Sequence, residues 1–126
     1  LLMMAIVLKK MKRHEDADMC LVQILERNPK HLEAWEERID NMQALEAHDQ
    51  ALILLDNAFE HMPPTSTSLR YKKFVSLFAL RMDGEALRLL DQLLIADFEG
   101  MNRLLETYPG LLDDPRVATR YARMKH

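Results

Sequence analysis

Cys20 is the only cysteine of the chain, so no internal disulfide can form, and a reducing compartment, the cytoplasm, is the expected setting. Only 3 glycines and 5 prolines punctuate 126 residues. That is too little punctuation for a many-stranded sheet or a disordered tail, and Leu, Ala, Met, Glu and Arg, which dominate, favour helix. Long apolar runs are missing too. The opening run, Leu1 to Leu8, has eight residues, far short of the roughly 20 that a bilayer-crossing helix needs. Charge follows it with no small-residue cleavage site, so it reads as half of a helical hairpin rather than a leader or a span. A start inside an apolar helix is expected of a fragment, or of a chain with a disordered start. An excess of positive charge is also lacking. Lys and Arg number 17 against 20 Asp and Glu, a formal charge of −3, which gives no general electrostatic reason to bind nucleic acid or an anionic membrane. No glycine-rich phosphate loop, nucleophile motif or pair of carboxylates suited to acid–base work occurs. The expectation is a non-catalytic protein without a cofactor.

Among what is present, 48% of the residues are hydrophobic and 29% charged, the profile of an all-helical protein of one-domain size. The most informative feature is an internal repeat. Lys9 to Pro29 aligns with Gln43 to Pro63 without a gap, at an offset of 34 residues. His14 falls on His48, Ala17 on Ala51, Leu21 on Leu55 and Pro29 on Pro63. Ala17, Leu21 and Ile24, then Ala51, Leu55 and Ala58, share one helical face by their spacing of four and seven. Ala86, Leu90 and Leu93 form a third copy, displaced by one extra residue that the PPTSTS loop, Pro63 to Ser68, absorbs.

Each copy predicts a helix that ends at its proline. Partner helices are expected at about Leu1–Lys10, Leu32–Leu45 and Leu69–Arg81, with Asp83 as N-cap of the third repeated helix. A short helix should follow and stop near Pro109-Gly110. Asp114 and Pro115 then mark the start of a terminal helix as N-cap and first helical residue. About eight helices and no strand are expected.

A period of 34 with small and apolar residues so placed resembles the tetratricopeptide repeat. Trp35, Ala51, Ala58 and Pro63 fill the family's positions in the middle copy, and Leu1, Ala5, Leu8, Ala17, Leu21, Ile24 and Pro29 fill them in the first, which would begin three residues into a repeat. The resemblance implies an all-α chain of antiparallel helix hairpins stacked as a right-handed α-solenoid, with hairpins at about 1–29, 30–63 and 64–97 and capping helices over 98–126. It departs from the family at Ile39 and Phe74, where a small residue is usual, and at Asp97-Phe98, where the third proline should stand. "ERNPKHLEAWEER", Glu26 to Arg38, then has a structural explanation: Pro29 closes one hairpin, Lys30 to Leu32 turn the chain, and the Trp35 indole fills the space between hairpins.

Four acids surround that tryptophan. Glu33, Glu36, Glu37 and Asp40 form one stripe by their i, i+3, i+4, i+7 spacing, opposite Trp35, Ile39 and Met42. Like charges so placed repel, although acids early in a helix complement its dipole. The stripe is either a solvated face or, as the resemblance implies, part of a concave groove that takes a basic or amphipathic peptide. Tyr71, Lys72, Val75 and Phe78 are the corresponding groove residues of the third copy, with core as the alternative for Tyr71 and Phe78. Leu2, Ile6, Glu37 and Asp40 stand where some family members carry the Lys, Asn and Arg that grip a peptide carboxylate, which argues against that ligand. His14 and His48 read as solvated turn residues rather than metal ligands, since a site needs three or four convergent donors. Cys20 reads as core.

The expected function is a protein-interaction scaffold. One alternative is structural: self-association or stacking through the unpaired first helix, whose apolar face is Leu1, Met4, Ala5 and Leu8. Another is a regulatory domain attached to an enzyme. The segment NPKHLEAWEERI also bears a passing likeness to half-tetratricopeptide scaffolds of RNA processing and to prenyltransferase-alpha-like helix pairs, which does not extend to the other copies.

Overall fold

The computed structural model describes residues 1–125 and, among them, contains eight α-helices, one 3-10 helix and no strand. The helices are α1 (Leu2–Lys10), α2 (His14–Arg27), α3 (Leu32–Ala44), α4 (His48–Phe59), α5 (Thr67–Ala79), α6 (Asp83–Ala96), α7 (Phe98–Thr107) and α8 (Pro115–Met124), with the 3-10 helix at Pro109–Asp113. None of the described helices is long and apolar enough to cross a membrane. The chain divides into two compact units between Pro64 and Thr65, inside the loop that carries the extra residue of the third copy.

In the first unit α1 packs on α2 and α3 on α4, while α3 also packs against α2 and, over a smaller area, α1. In the second unit α5 packs on α6, α7 lies against both, and α8 lies against α6 and the 3-10 helix. The repeat positions form the cores: Ala17, Leu21, Ala51, Leu55, Ala86 and Leu90 are all fully buried. Ile24 is half-buried, and Leu25 beside it takes the buried place. Small residues let the helices approach, and the leucines that follow one turn later fill the seam.

The repeat is also written in the backbone. Lys12, Glu46 and Arg81 are the non-glycine residues with positive φ, at 61°, 58° and 63°, and they recur at the same offsets as the copies. Each follows the first helix of a pair and closes it in the same way. Arg13 N donates to Leu8 O, Ala47 N to Met42 O and Met82 N to Leu77 O, each five residues back, while Lys12, Glu46 and Arg81 donate three residues back to Lys9, Gln43 and Phe78. This is the Schellman closure of a helix C-terminus, in which glycine is the usual left-handed residue. Here all three positions carry long charged side chains.

Several boundaries differ from expectation. Helix α4 ends at Phe59, well before Pro63, because His61 N and Met62 N both turn back onto Ala58 O at 3.0 and 2.8 Å. Asp83 is the first residue of α6 rather than its cap; Met82 occupies the cap position and gives no side-chain bond. Asp114 caps α8 as expected, accepting from Arg116 N at 2.8 Å with Pro115 next in line.

The departure at Asp97 marks where the repeat gives way to closure. Its side chain caps α7 by accepting from Gly100 N at 3.0 Å, and it also accepts from the Thr67 hydroxyl at 2.9 Å. Its backbone carbonyl accepts from Tyr71 Oη at 2.6 Å. Gly100 is required at this junction, because a β-carbon there would sit 2.5 Å from Tyr71 Cε2 and 2.6 Å from Asp97 Oδ2. Helix α8 is then fastened by polar contacts. Arg116 bridges to Asp83 at 3.0 Å and Arg120 to Asp91 at 2.8 Å, Tyr121 stacks on Phe98, and its hydroxyl donates to Asn102 at 2.6 Å.

Candidate partner-binding surfaces

Helix α3 carries the acidic stripe, and its position is set from its first turn. His31 Nδ1 accepts from Ala34 N at 3.1 Å, so a histidine serves as N-cap in place of the usual Ser, Thr, Asp or Asn. One turn on, buried Trp35 donates from Nε1 to the Pro29 carbonyl at 2.8 Å and stacks on His61 with ring centroids 6.2 Å apart. The indole therefore ties the segment after α2 to the segment after α4. That answers why Asn28-Pro29 precedes Trp35 so closely: proline ends the helix and leaves a carbonyl for the indole N–H.

The four acids of the stripe differ in their surroundings. Glu33 is exposed, while Glu36, Glu37 and Asp40 are half-buried. Glu37 is bound to Lys9 of α1 at 3.2 Å. On the adjacent position Arg38 forks onto Asp18 of α2, Nε to Oδ1 at 2.7 Å and the second nitrogen to Oδ2 at 3.1 Å. This bidentate pair is the stronger of the two in geometry. Asn41, one turn further along, is buried, and neither end of its amide has a hydrogen-bond partner. Neither pair was apparent from the sequence, because the partners lie 28 and 20 residues apart.

On α5 in the second unit, Tyr71 and Val75 are buried, and Lys72 and Phe78 are half-buried. Tyr71 is held by its hydroxyl, which donates to Asp97 O and lies 3.3 Å from Leu93 O. Burial, then the nearby Asp97 charge, pushes the phenol up to about 12. Phe78 stacks on Phe74 and lies under the Arg116 guanidinium, 5.9 Å from its ring centroid. Tyr71 and Val75 therefore serve the core of their unit, and Lys72 and Phe78 are the members of this set with accessible surface.

The histidines are not solvated turn residues as expected. His48 opens α4 largely buried, with Nε2 2.9 Å from Glu46 Oε2. His14 opens α2 half-buried, its Nδ1 shut off from solvent without a partner. Cys20 is half-buried rather than core. No group of three or more His, Cys, Asp or Glu side chains is placed to hold a metal ion among the described residues. A depression at the α1–α2 turn is lined by Lys12, Arg13, His14, Glu15, Asp16 and Leu45. Its charges are mixed, and Arg13 is bound to Asp16 at 2.6 Å.

Compared with protein-family models, with curated proteins and with solved structures, the chain finds no match in any of the three. The class defined here is accordingly the physical one, an all-helical protein whose neighbouring helices pack in pairs.

Proposed function

We propose that the chain is a tetratricopeptide-like α-solenoid segment that acts as a non-catalytic, cytoplasmic protein-interaction module, with the acidic stripe of α3 lining the groove that receives a basic or amphipathic peptide or helix of a partner protein. The observation that carries this reading is the recurrence of one hairpin unit in sequence and in backbone, down to the left-handed residue at Lys12, Glu46 and Arg81. Hairpin arrays of this kind offer extended surfaces to other proteins. Within the acidic stripe, Glu37 already neutralises Lys9. Glu33, the exposed member of the stripe, with Glu36 and Asp40 beside it, is the acid that a basic ligand would meet first.

The test is affinity for peptides selected on the intact chain from a random helical library. Selected peptides should be rich in Lys and Arg. They should bind a Glu33→Lys, Glu36→Lys, Asp40→Lys variant of unchanged helicity about tenfold more weakly, since three surface charges at a few tenths of a kcal/mol each come to roughly one factor of ten. Equal binding by the variant would return these acids to the role of a solvated face.

A further inference from the structure

The three hairpin turns share a backbone and differ in charge. Each left-handed residue stands two positions before the residue that opens the following helix: Lys12 before His14, Glu46 before His48, Arg81 before Asp83. In the second copy the two meet, with Glu46 Oε2 2.9 Å from His48 Nε2. In the third, the helix-opening Asp83 takes its ion pair from Arg116. The first copy carries a lysine where the second carries the glutamate, and a cation cannot serve an imidazole as a carboxylate does.

Accessibility follows this difference. His48 is 8% exposed behind the Glu46 carboxylate, whereas His14 is half-buried and lines the depression at its turn together with Lys12, Arg13, Glu15, Asp16 and Leu45. The depression opens on the ring that lacks a carboxylate.

The seam beside it is polar and unsatisfied. Helices α2 and α3 pack together and, joined by a short turn, run antiparallel. Arg38 of α3 pairs with Asp18 of α2, and one turn further, towards the end of α3 and the start of α2, stand Asn41 and His14. Asn41 is 1% exposed with neither end of its amide bonded, and His14 Nδ1 is shut off without a partner. Leu45, one turn beyond Asn41 on the same side of α3, lines the depression itself. Buried polar groups are nearly always paired, so unpaired ones at this end of the seam point to a polar guest.

The surrounding charges admit an anion. Asp16 is taken by Arg13 at 2.6 Å. Glu15 has the repeat position of Asp49, and Asp49 does not keep the Glu46 carboxylate off His48. Lys12 adds a positive charge that the second turn lacks. The first turn is therefore more favourable to a carboxylate than the turn that already holds one.

We propose that the α1–α2 turn binds the carboxylate of an aspartate or glutamate side chain carried by a protein partner. His14 Nε2 donates to one oxygen as His48 meets Glu46, and Lys12 adds an ion pair. Leu45, 52% exposed, covers the methylenes of the arriving side chain. In the second turn the chain delivers its own carboxylate; in the first it comes from outside, without that gain in effective concentration, so a single contact is weak. The turn is separate from the acidic stripe, and its ligand does not depend on what the stripe binds.

The probe is a capped tripeptide, acetyl-Ala-Glu-Ala-amide, whose one carboxylate is its side chain, with the Gln peptide as control. The ring resonances of His14 and His48 in the full chain are followed by NMR at constant pH and ionic strength. The Glu peptide should move His14 saturably, with a dissociation constant on the order of millimolar, and leave His48 still. Lys12→Gln should weaken binding about threefold, as for one exposed ion pair. Lys12→Glu supplies the carboxylate from the chain itself, on a backbone conformation that Glu46 already adopts. It should shift His14 in the direction the peptide does and abolish the peptide's effect. No saturable shift, an equal shift from the Gln peptide, or a response that survives Lys12→Glu overturns the proposal. So does acetate binding as tightly as the peptide, which would give the site to small carboxylates.

Discussion

The two units treat the flanks of their hairpins differently. In the second, the α5–α6 pair is covered by α7 and α8, which bury Met101 and Val117 and add polar contacts: the Asp97 junction, the Arg116–Asp83 and Arg120–Asp91 bridges, and the Tyr121 hydroxyl on Asn102. In the first, α3 covers one flank of the α1–α2 pair through Glu37–Lys9 and Arg38–Asp18, while α1 leaves Met3, Met4 and Val7 open. Charged pairs between hairpins add register and orientation more than net stability, because each carries a desolvation cost.

The comparison can be broken most forcefully at its two junctions. Trp35→Ala removes the indole that joins the ends of α2 and α4, and should cost the first unit about 3–5 kcal/mol. Gly100→Ala forces a β-carbon into Tyr71 and the Asp97 carboxylate, and should cost the second unit about 1–3 kcal/mol. Residue-resolved hydrogen exchange under native conditions reads each unit by itself. Equal loss of protection in both units from either substitution would mean that they unfold as one cooperative body.

Tyr71 sharpens the contrast through pH. Its phenol is raised from 10.0 to about 12 in the folded chain, so its neutral form is favoured by folding. The stability this contributes is fully present below pH 10 and is lost as pH rises through 12. Amides of α5 to α7 should lose protection over that window while those of α1 to α4 do not follow the same titration. Tyr71→Phe should remove the dependence and cost about 1 kcal/mol at neutral pH for the lost hydrogen bonds. Unchanged alkaline unfolding in Tyr71→Phe would assign the transition to other groups.

The smallest effect tests what the units share. Lys12→Gly, Glu46→Gly and Arg81→Gly relieve a left-handed conformation that costs an L-residue energy, at the expense of greater freedom in the unfolded chain. Each should stabilise its unit by a net of about 0.5–1 kcal/mol in denaturant titration. A loss at any one position would show that the long side chain contributes there beyond the turn geometry.

How far the sequence could be read depended on the range of the interactions concerned. Repeated burial was legible: Ala17, Ala51 and Ala86, with Leu21, Leu55 and Leu90, are fully buried, because a helix converts a spacing of four directly into a face. The α8 start was legible as well, since Asp114 and Pro115 act on the next few backbone amides. The turn residues were not, because Lys, Glu and Arg carry no sign of a positive φ that glycine would have advertised. The acidic stripe was visible as a pattern, but not the neutralisation of Glu37 by Lys9 or the pairing of its neighbour Arg38 with Asp18.

The sequence by itself determined an all-helical chain of recurring hairpins and the faces those helices bury, since both follow from local propensity and from periodicity along one helix. Tertiary structure decided the rest. It joined Glu37 to Lys9 and Arg38 to Asp18, turned Asp97 from a missing proline into the junction of α5 with α7, and left Met3, Met4 and Val7 more exposed than their counterparts on α3. Those outcomes depend on which side chains from distant positions arrive within 3 Å or so of one another, and no short window of sequence contains both partners.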